Sequence, residues 1–193
     1  MRTLQELLNM IGGGYDLALG YLIRSKSIQF RRTKIEDLDF IISLEKHPDS
    51  KKYIISWTRD KHQEALGSHD FLYIIVENLN RQKIGYLILS GISNQNGCIE
   101  IVRINIDDKG KGYGKETMKL VQEYVFKHLK AHRLWLDVKE HNNRARHVYE
   151  WAGFKVEGLL RECIKSEENY ESLVIMGMLR NEYRGRLSAS ILS

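Results

Sequence analysis

From Ser27 to Leu179 short apolar runs of strand character alternate with segments whose apolar residues recur at helical spacing, and the connections between them are short. That alternation is the signature of a mixed α/β sheet domain. Ile28, Phe30 and Arg32 begin a strand. Residues 36–45 carry Leu38, Ile41, Ile42 and Leu44 on a helical stripe ended by His47-Pro48, because a proline steers its predecessor away from helical geometry. Residues 54–66 read as a second helix with Gly67 as its stop, and residues 71–77 and 83–90 as a hairpin across 78–82. A strand over 98–106 leads to a long helix over 113–130 with Met118, Val121, Val125 and Leu129 on one side. After a strand at 134–138 comes a short helix with Ala145, Val148, Tyr149 and Ala152 on one stripe, closed by Gly153. Residues 155–161 and 171–179 read as two closing strands.

A chain of 193 residues has room for one such core, and 42% hydrophobic with 28% charged residues excludes disordered and fibrous classes. The organisation expected is an N-terminal helical appendage over 1–26, one domain over 27–183 and a tail over 184–193. Within the appendage Leu4, Leu7, Leu8 and Ile11 recur at helical spacing until Gly12, Gly13 and Gly14 break the pattern. Glu6, Asn9 and Asp16 interrupt every apolar run, so neither an export signal nor a membrane span is expected there. A docking helix is one reading of this segment and a helix packed on its own domain the other. Two cysteines, Cys98 and Cys163, cannot make a thiolate metal site or a disulfide framework, and a reduced cytoplasmic protein is the expectation. The net charge of +5 permits an anionic ligand. No basic patch interleaved with aromatics accompanies it, so nucleic acid is not expected as a partner.

The strongest local feature is Lys109-Gly110-Lys111-Gly112-Tyr113-Gly114-Lys115, between the strand at 98–106 and the long helix. Glycines there allow backbone N–H groups to converge on phosphate oxygens, and the helix N-terminus and three lysines add positive charge. A tight connection with no ligand is the alternative. The spacing matches neither G-x-G-x-x-G nor a nucleoside-triphosphate loop. Downstream lies Asn142-Asn143-Arg144-Ala145, followed by Tyr149, Gly153 and Phe154.

In this order the two segments resemble the GCN5-related N-acetyltransferase (GNAT) family, across residues 27–183. The family's loop of form Arg/Gln-x-x-Gly-x-Gly/Ala begins here at Lys109, a departure in residue type, with Gly112 and Gly114 at the glycine positions. Its segment Asn-x-x-Ala-x-x-x-Tyr-x-x-x-Gly-Phe is matched by Ala145, Tyr149, Gly153 and Phe154. Spacing from Ala145 fits Asn142, whereas the common Asn-Arg-Ala form points to Asn143, which is favoured. The resemblance implies an α/β GNAT fold: a central, mostly antiparallel sheet that splays after the strand ending near Ile106, with acetyl-coenzyme A in the opening. It implies pyrophosphate contacts from Lys109, Gly110, Lys111, Gly112, Tyr113, Gly114 and Lys115, pantetheine pairing with Ile104, Asn105 and Ile106, and further coenzyme contacts from Asn143, Ala145 and Tyr149.

Acetyl transfer from a thioester to an amine needs a neutral amine, a stabilised oxyanion and a proton for the departing thiolate, and it needs no metal. Tyr149 suits the last task, since a phenol of pKa about 10 stays protonated near neutral pH; its plain alternative is a core aromatic. Glu100 is the candidate base, with a solvent-facing or Arg103-paired carboxylate as the alternative. A backbone N–H around Ile104 is the expected oxyanion donor. His128, His132, His141 and His147 match no zinc spacing. Residues 135–161, with Tyr170, are similar to ribosomal-protein N-terminal acetyltransferases and bacterial spermidine acetyltransferases. The acceptor is therefore expected to be a peptide N-terminus, a polyamine or another small amine, and Glu36, Asp37, Asp39, Glu167, Glu168 and Glu171 are candidates for an acidic mouth. The alternative function is a coenzyme A-binding regulatory or interaction module. The resemblance also leaves a homodimer open.

Overall fold

The computed structural model of the chain describes residues 20–107, 110–166 and 169–183. Its centre is an eight-stranded sheet with order β1-β2-β3-β4-β5-β6-β8-β7. The strands are β1 (Ile23–Arg24), β2 (Ile28–Arg32), β3 (Leu72–Asn78), β4 (Lys83–Ser90), β5 (Cys98–Ile106), β6 (Arg133–Lys139), β7 (Lys155–Ser166) and β8 (Asn169–Leu179). The helices are α1 (Leu38–Lys46), α2 (Pro48–Lys51), α3 (Arg59–Gly67), α4 (Tyr113–Glu123, continued by a π-helical turn at Tyr124–His128) and α5 (Asn143–Trp151). No helix among the described residues is long and apolar enough to cross a membrane.

The middle strands are buried on both faces, because helices cover both. On one face Ile74, Leu87, Leu89 and Ile99 pack with Met118, Val121 and Val125 of α4, and with Tyr149 and Ala152 near the end of α5. On the other, Tyr73, Ile75, Tyr86 and Ile88 pack with Leu38, Ile41 and Leu44 of α1 and Ala65 of α3. Alternation along β3 and β4 sends successive side chains into the two cores.

One pairing decides where a ligand can enter. β5 and β6 are parallel neighbours, but their register covers only Cys98↔Arg133, Ile99↔Leu134 and Glu100↔Trp135. Beyond that point β5 stays with β4 and β6 with β8, so the strands part within β5 rather than at its end near Ile106. A register shift between Ile88 and Leu89 sets Arg103 opposite the first and Ile101 opposite the second, leaving Val102 as the extra residue of a bulge. Bulges re-aim side chains, and here the re-aimed ones face the opening.

Several expectations change. The helix expected at 54–66 starts at Arg59, where Thr58 accepts a hydrogen bond from the Lys61 N–H at 3.3 Å. Residues 54–58 are instead an irregular strap, and their apolar side chains imitated a helical start. The last two strands reach Ser166 and begin again at Asn169, longer than their apolar pattern suggested. Leu22, expected in the appendage, is buried in the main core, and its N–H donates to the Phe30 carbonyl at 2.6 Å. β1 pairs with β2, so the sheet begins before residue 27. The helix expected around Leu4 to Ile11, Lys109, Glu167, Glu168 and the tail from 184 lie outside the described residues.

Candidate active site

The parting of β5 and β6 opens a cavity of about 560 Å³ walled by β5, β6, the starts of α4 and α5, and the segment from Asp49 to Trp57. Each expected reacting residue lies on it.

On the coenzyme side, Gly110 and Gly112 have φ of +87° and +81°, a left-handed conformation that favours glycine. A Cβ at Gly110, Gly112 or Gly114 would meet no heavy atom within 4 Å, so these glycines leave open space rather than permit close packing. Gly112 precedes α4 and supplies no side-chain cap, which leaves first-turn N–H groups for an anion. Lys111 and Lys115 are exposed on the same loop, and Lys115 Nζ lies 4.7 Å from the centre of the Trp151 ring. Ile104, Asn105 and Ile106 line the cleft, paired with β4 along one edge and unpaired toward β6. The open backbone edge and the glycine loop fit an extended amide chain ending in phosphates. Ala145 also lines the cavity, and Tyr113 packs half-buried at the start of α4.

The structure separates the two asparagines of the motif. Asn142 lines the cavity and caps α5, its Oδ1 accepting from the Ala145 N–H at 3.2 Å. Asn143 is exposed and does not line it. The cap requires a residue outside the helical conformation before the first helical one, here Asn142 at φ −80° and ψ +64°, a distinction that the motif leaves undecided.

Tyr149 is 9% exposed and belongs to the α4-side core, yet it lines the cavity. No hydrogen bond to its hydroxyl is formed among the described residues. Burial, aided by the negative charge of Asp137, holds its pKa well above the usual phenol range. Glu100 enters from the opposite face of the sheet, where Ser90 Oγ donates to it at 3.1 Å. Burial and the nearby Asp137 raise its pKa, and the Ser90 bond only moderates the rise. It is not paired with Arg103. Asp137, a carboxylate that sequence reasoning passed over, lines the same cavity; the cleft walls raise its pKa by desolvation, and Arg103 opposes them. The gap therefore meets a phenol from one face of the sheet and two carboxylates from the other.

Behind the carboxylates lies a buried polar network that the sequence also hid. Glu45 is fully buried; its Oε1 accepts from the Tyr86 hydroxyl at 2.8 Å and lies 3.4 Å from Arg103 Nε, and its Oε2 accepts from the Trp57 N–H at 2.9 Å. Burial opposes its charge, but His62, Arg103, the Trp57 N–H and Tyr86 outweigh it and keep the carboxyl below its usual range. Arg103 also donates to the Ile55 carbonyl at 2.5 Å and stacks 4.6 Å from the Trp57 ring centre. Glu45 thereby fixes both the strap and the bulged strand. Of the residues expected at an acidic mouth, Asp37 is bonded to Arg31, Asp39 to Arg59 and Glu171 to Lys139, and neither these three nor Glu36 lines the cleft; Glu167 and Glu168 lie outside the described residues.

Comparison with known proteins agrees with this geometry. Residues 27–155 match the family described as the acetyltransferase (GNAT) domain. The chain is 25% identical over 177 residues to a spermidine N(1)-acetyltransferase of Vibrio cholerae, covering 84% of this chain and 98% of the relative. It is 23% identical over 170 residues to the Escherichia coli K12 enzyme of the same name, covering 81% and 88%. A crystal structure of the Vibrio cholerae spermidine N-acetyltransferase in complex with CoA and spermine superposes with a TM-score of 0.74 at 25% identity, covering 82% of this chain and 99% of that one.

Proposed function

The chain belongs to the GNAT acetyltransferase family and is an acetyl-CoA-dependent N-acetyltransferase, and on that premise we propose that it acetylates an alkyl amine of the polyamine class by direct attack. The observation that carries the reading is the parting of β5 and β6 between a buried phenol and two carboxylates. Acetyl-CoA lies along Ile104, Asn105 and Ile106, with its phosphates on Gly110, Lys111, Gly112, Tyr113, Gly114 and Lys115; Lys109 belongs to the same loop. Asn142, rather than Asn143, and Ala145 complete the coenzyme side.

The acceptor arrives as an ammonium. Glu100 takes one proton, and its raised pKa makes it a better acceptor than a solvated carboxylate. The neutral nitrogen then attacks the thioester carbonyl, forming the C–N bond, and a backbone N–H around Ile104 holds the oxyanion. Collapse breaks the C–S bond, and Tyr149 protonates the leaving sulfur. The second proton shed by the nitrogen restores the phenol, so one proton ends on CoA and one in water. The high pKa of Tyr149 keeps the phenol intact at working pH but weakens it as an acid. The nitrogen, cationic again once its bond to the carbonyl carbon has formed, relieves this by offsetting the charge of Asp137.

Thiol release from acetyl-CoA, measured against polyamines, amino acids and peptides, tests the reading. Acceptor-dependent release is expected, with the highest kcat/KM for a polyamine. Tyr149→Phe lowers turnover by about 10²–10⁴-fold with CoA affinity retained, and Glu100→Gln removes the acidic limb of the pH–rate profile. CoA binding without release under any acceptor sinks the proposal in favour of a coenzyme-binding module.

A further inference from the structure

Among the described residues four cations line the cleft, and each is engaged or at its rim: Lys61 Nζ lies 4.3 Å from the Trp57 ring centre and Arg144 is exposed on α5. Arg103 faces the buried Glu45, and Lys139 is ion-paired with Glu171 at 2.6 Å. Glu100 and Asp137 have no ion-pair partner among the described residues. Their placement follows from the register. Glu100 stands opposite Trp135 in the last paired rung of β5 and β6, and side chains two apart share a face, so Asp137 lies on the same face two residues beyond that rung. Two residues of strand advance roughly 7 Å and neighbouring strands lie roughly 4.8 Å apart, a diagonal of about 8.5 Å or more that two carboxylate side chains close on a single ammonium. Tyr149, nine-tenths buried and with no hydrogen bond to its hydroxyl from a described residue, points independently to a ligand in the same gap.

Resting on the reading that the chain acetylates a primary amine, we propose that Asp137 is the acceptor-binding carboxylate, holding with Glu100 the ammonium of an alkyl polyamine in preference to the less basic amine of a peptide N-terminus. A charge-assisted hydrogen bond to a carboxylate is worth more than a neutral one, and only a cation gains it. Alkyl ammonium groups titrate near about 10.4, and a peptide α-amino group near about 7.7–8.0. At about pH 8.5 the first arrives charged and the second mostly neutral. Asp137 thus selects by basicity.

The test is steady-state kinetics of wild type, Asp137→Asn and Asp137→Glu at about pH 8.5, with spermidine and with a short peptide bearing a free N-terminus. Asp137→Asn is expected to raise the spermidine KM by at least roughly tenfold, to change the peptide KM by less than about threefold, and to lower kcat less than it raises the spermidine KM. Asp137→Glu restores most of the spermidine affinity, and CoA binding to both variants reports that they fold. A spermidine KM within about twofold of wild type, or an equal rise for both amines, overturns the assignment. If wild type releases thiol with neither amine nor any other, the acetyl-transfer reading falls and Asp137 with it. Wild-type turnover with an indifferent Asp137→Asn removes Asp137 alone.

Discussion

Two clusters of buried charge occupy the same face of the sheet and use the same chemistry to different ends. At the outer edge Arg31 grips Asp37 through Nη1 at 2.6 Å and Nη2 at 3.0 Å, and donates Nε to Glu77 at 2.6 Å. Gln29 closes the other Glu77 oxygen at 2.9 Å, and Lys83 reaches Asp37 at 3.3 Å. Under the cleft, Glu45 meets Arg103 Nε at 3.4 Å and His62 Nε2 at 3.5 Å, contacts that leave both nitrogens without a hydrogen bond. The edge cluster is geometrically complete and joins β2, β3 and the start of α1. The cleft cluster is looser and ends on Arg103, Trp57 and Ile55, which line the cavity. A complete cluster serves the fold; one whose partners line a cavity also sets that cavity's shape.

The sharpest way to break this contrast is Glu45→Ala. Removing the carboxylate leaves the Arg103 guanidinium, whose side chain is 9% exposed, without its ion-pair partner, a change that costs about 3–5 kcal/mol in buried pairs. Denaturant unfolding should record that loss. Kinetics on the folded enzyme should record a higher acceptor KM with the acetyl-CoA KM little changed, because the strap and Arg103 wall the acceptor side and not the glycine loop. Unaltered acceptor KM in a destabilised variant would reduce the cleft cluster to the same role as the edge one.

The edge cluster predicts a pure stability effect of smaller size, read through pH. Burial opposes the Asp37 charge, but Arg31, the Lys34 N–H and Lys83 outweigh it and pull its pKa from 3.8 to about 2. A pKa lowered by folding stabilises the native state fully above the unfolded value, and that contribution is lost as pH falls through the folded one. About 2 kcal/mol should therefore disappear between roughly pH 4 and pH 2. Urea melts across that window should show the drop in wild type and a flatter profile in Asp37→Asn. Equal slopes in the two would remove Asp37 from the acid sensitivity.

The contrast also explains what was legible beforehand. The strand at Cys98–Ile106, the helix from Tyr113 and the glycine turn between them follow from local periodicity and turn chemistry, and the structure repeats them. Tyr149 stood out through the motif that carries the family resemblance and Glu100 as a carboxylate in an apolar strand, and both line the cavity. Asp137 did not stand out, since its meaning depends on a parallel register that ends two residues before it. Glu45 read as one more polar position of α1; its partners Tyr86 and Arg103 are distant in sequence, and periodicity carries no information about them. The strap misled for a local reason: Ile54, Ile55 and Trp57 have helical spacing, but the Trp57 N–H is claimed by Glu45. The charged residues Arg161, Glu162 and Lys165 hid the end of β7 because that strand is held by pairing with β8 more than by burial.

The smallest predicted effect separates the two things that hold the strap. At its far end Thr58 caps α3, and loss of such a cap costs about 1 kcal/mol. If Glu45 alone positions the strap, Thr58→Ala should lower stability by about that amount and leave the acceptor KM within experimental scatter, since the Trp57 N–H keeps its carboxylate. If instead the first turn of α3 anchors the strap, the acceptor KM should rise in Thr58→Ala as it does in Glu45→Ala, and the double variant should be no worse than the worse single one. Additive stability losses with a KM effect confined to Glu45→Ala are the expected result, because the cap and the network share no hydrogen-bonding atom. Coupling between the two in a double-mutant cycle would place Thr58 in the cleft cluster and extend that cluster into α3.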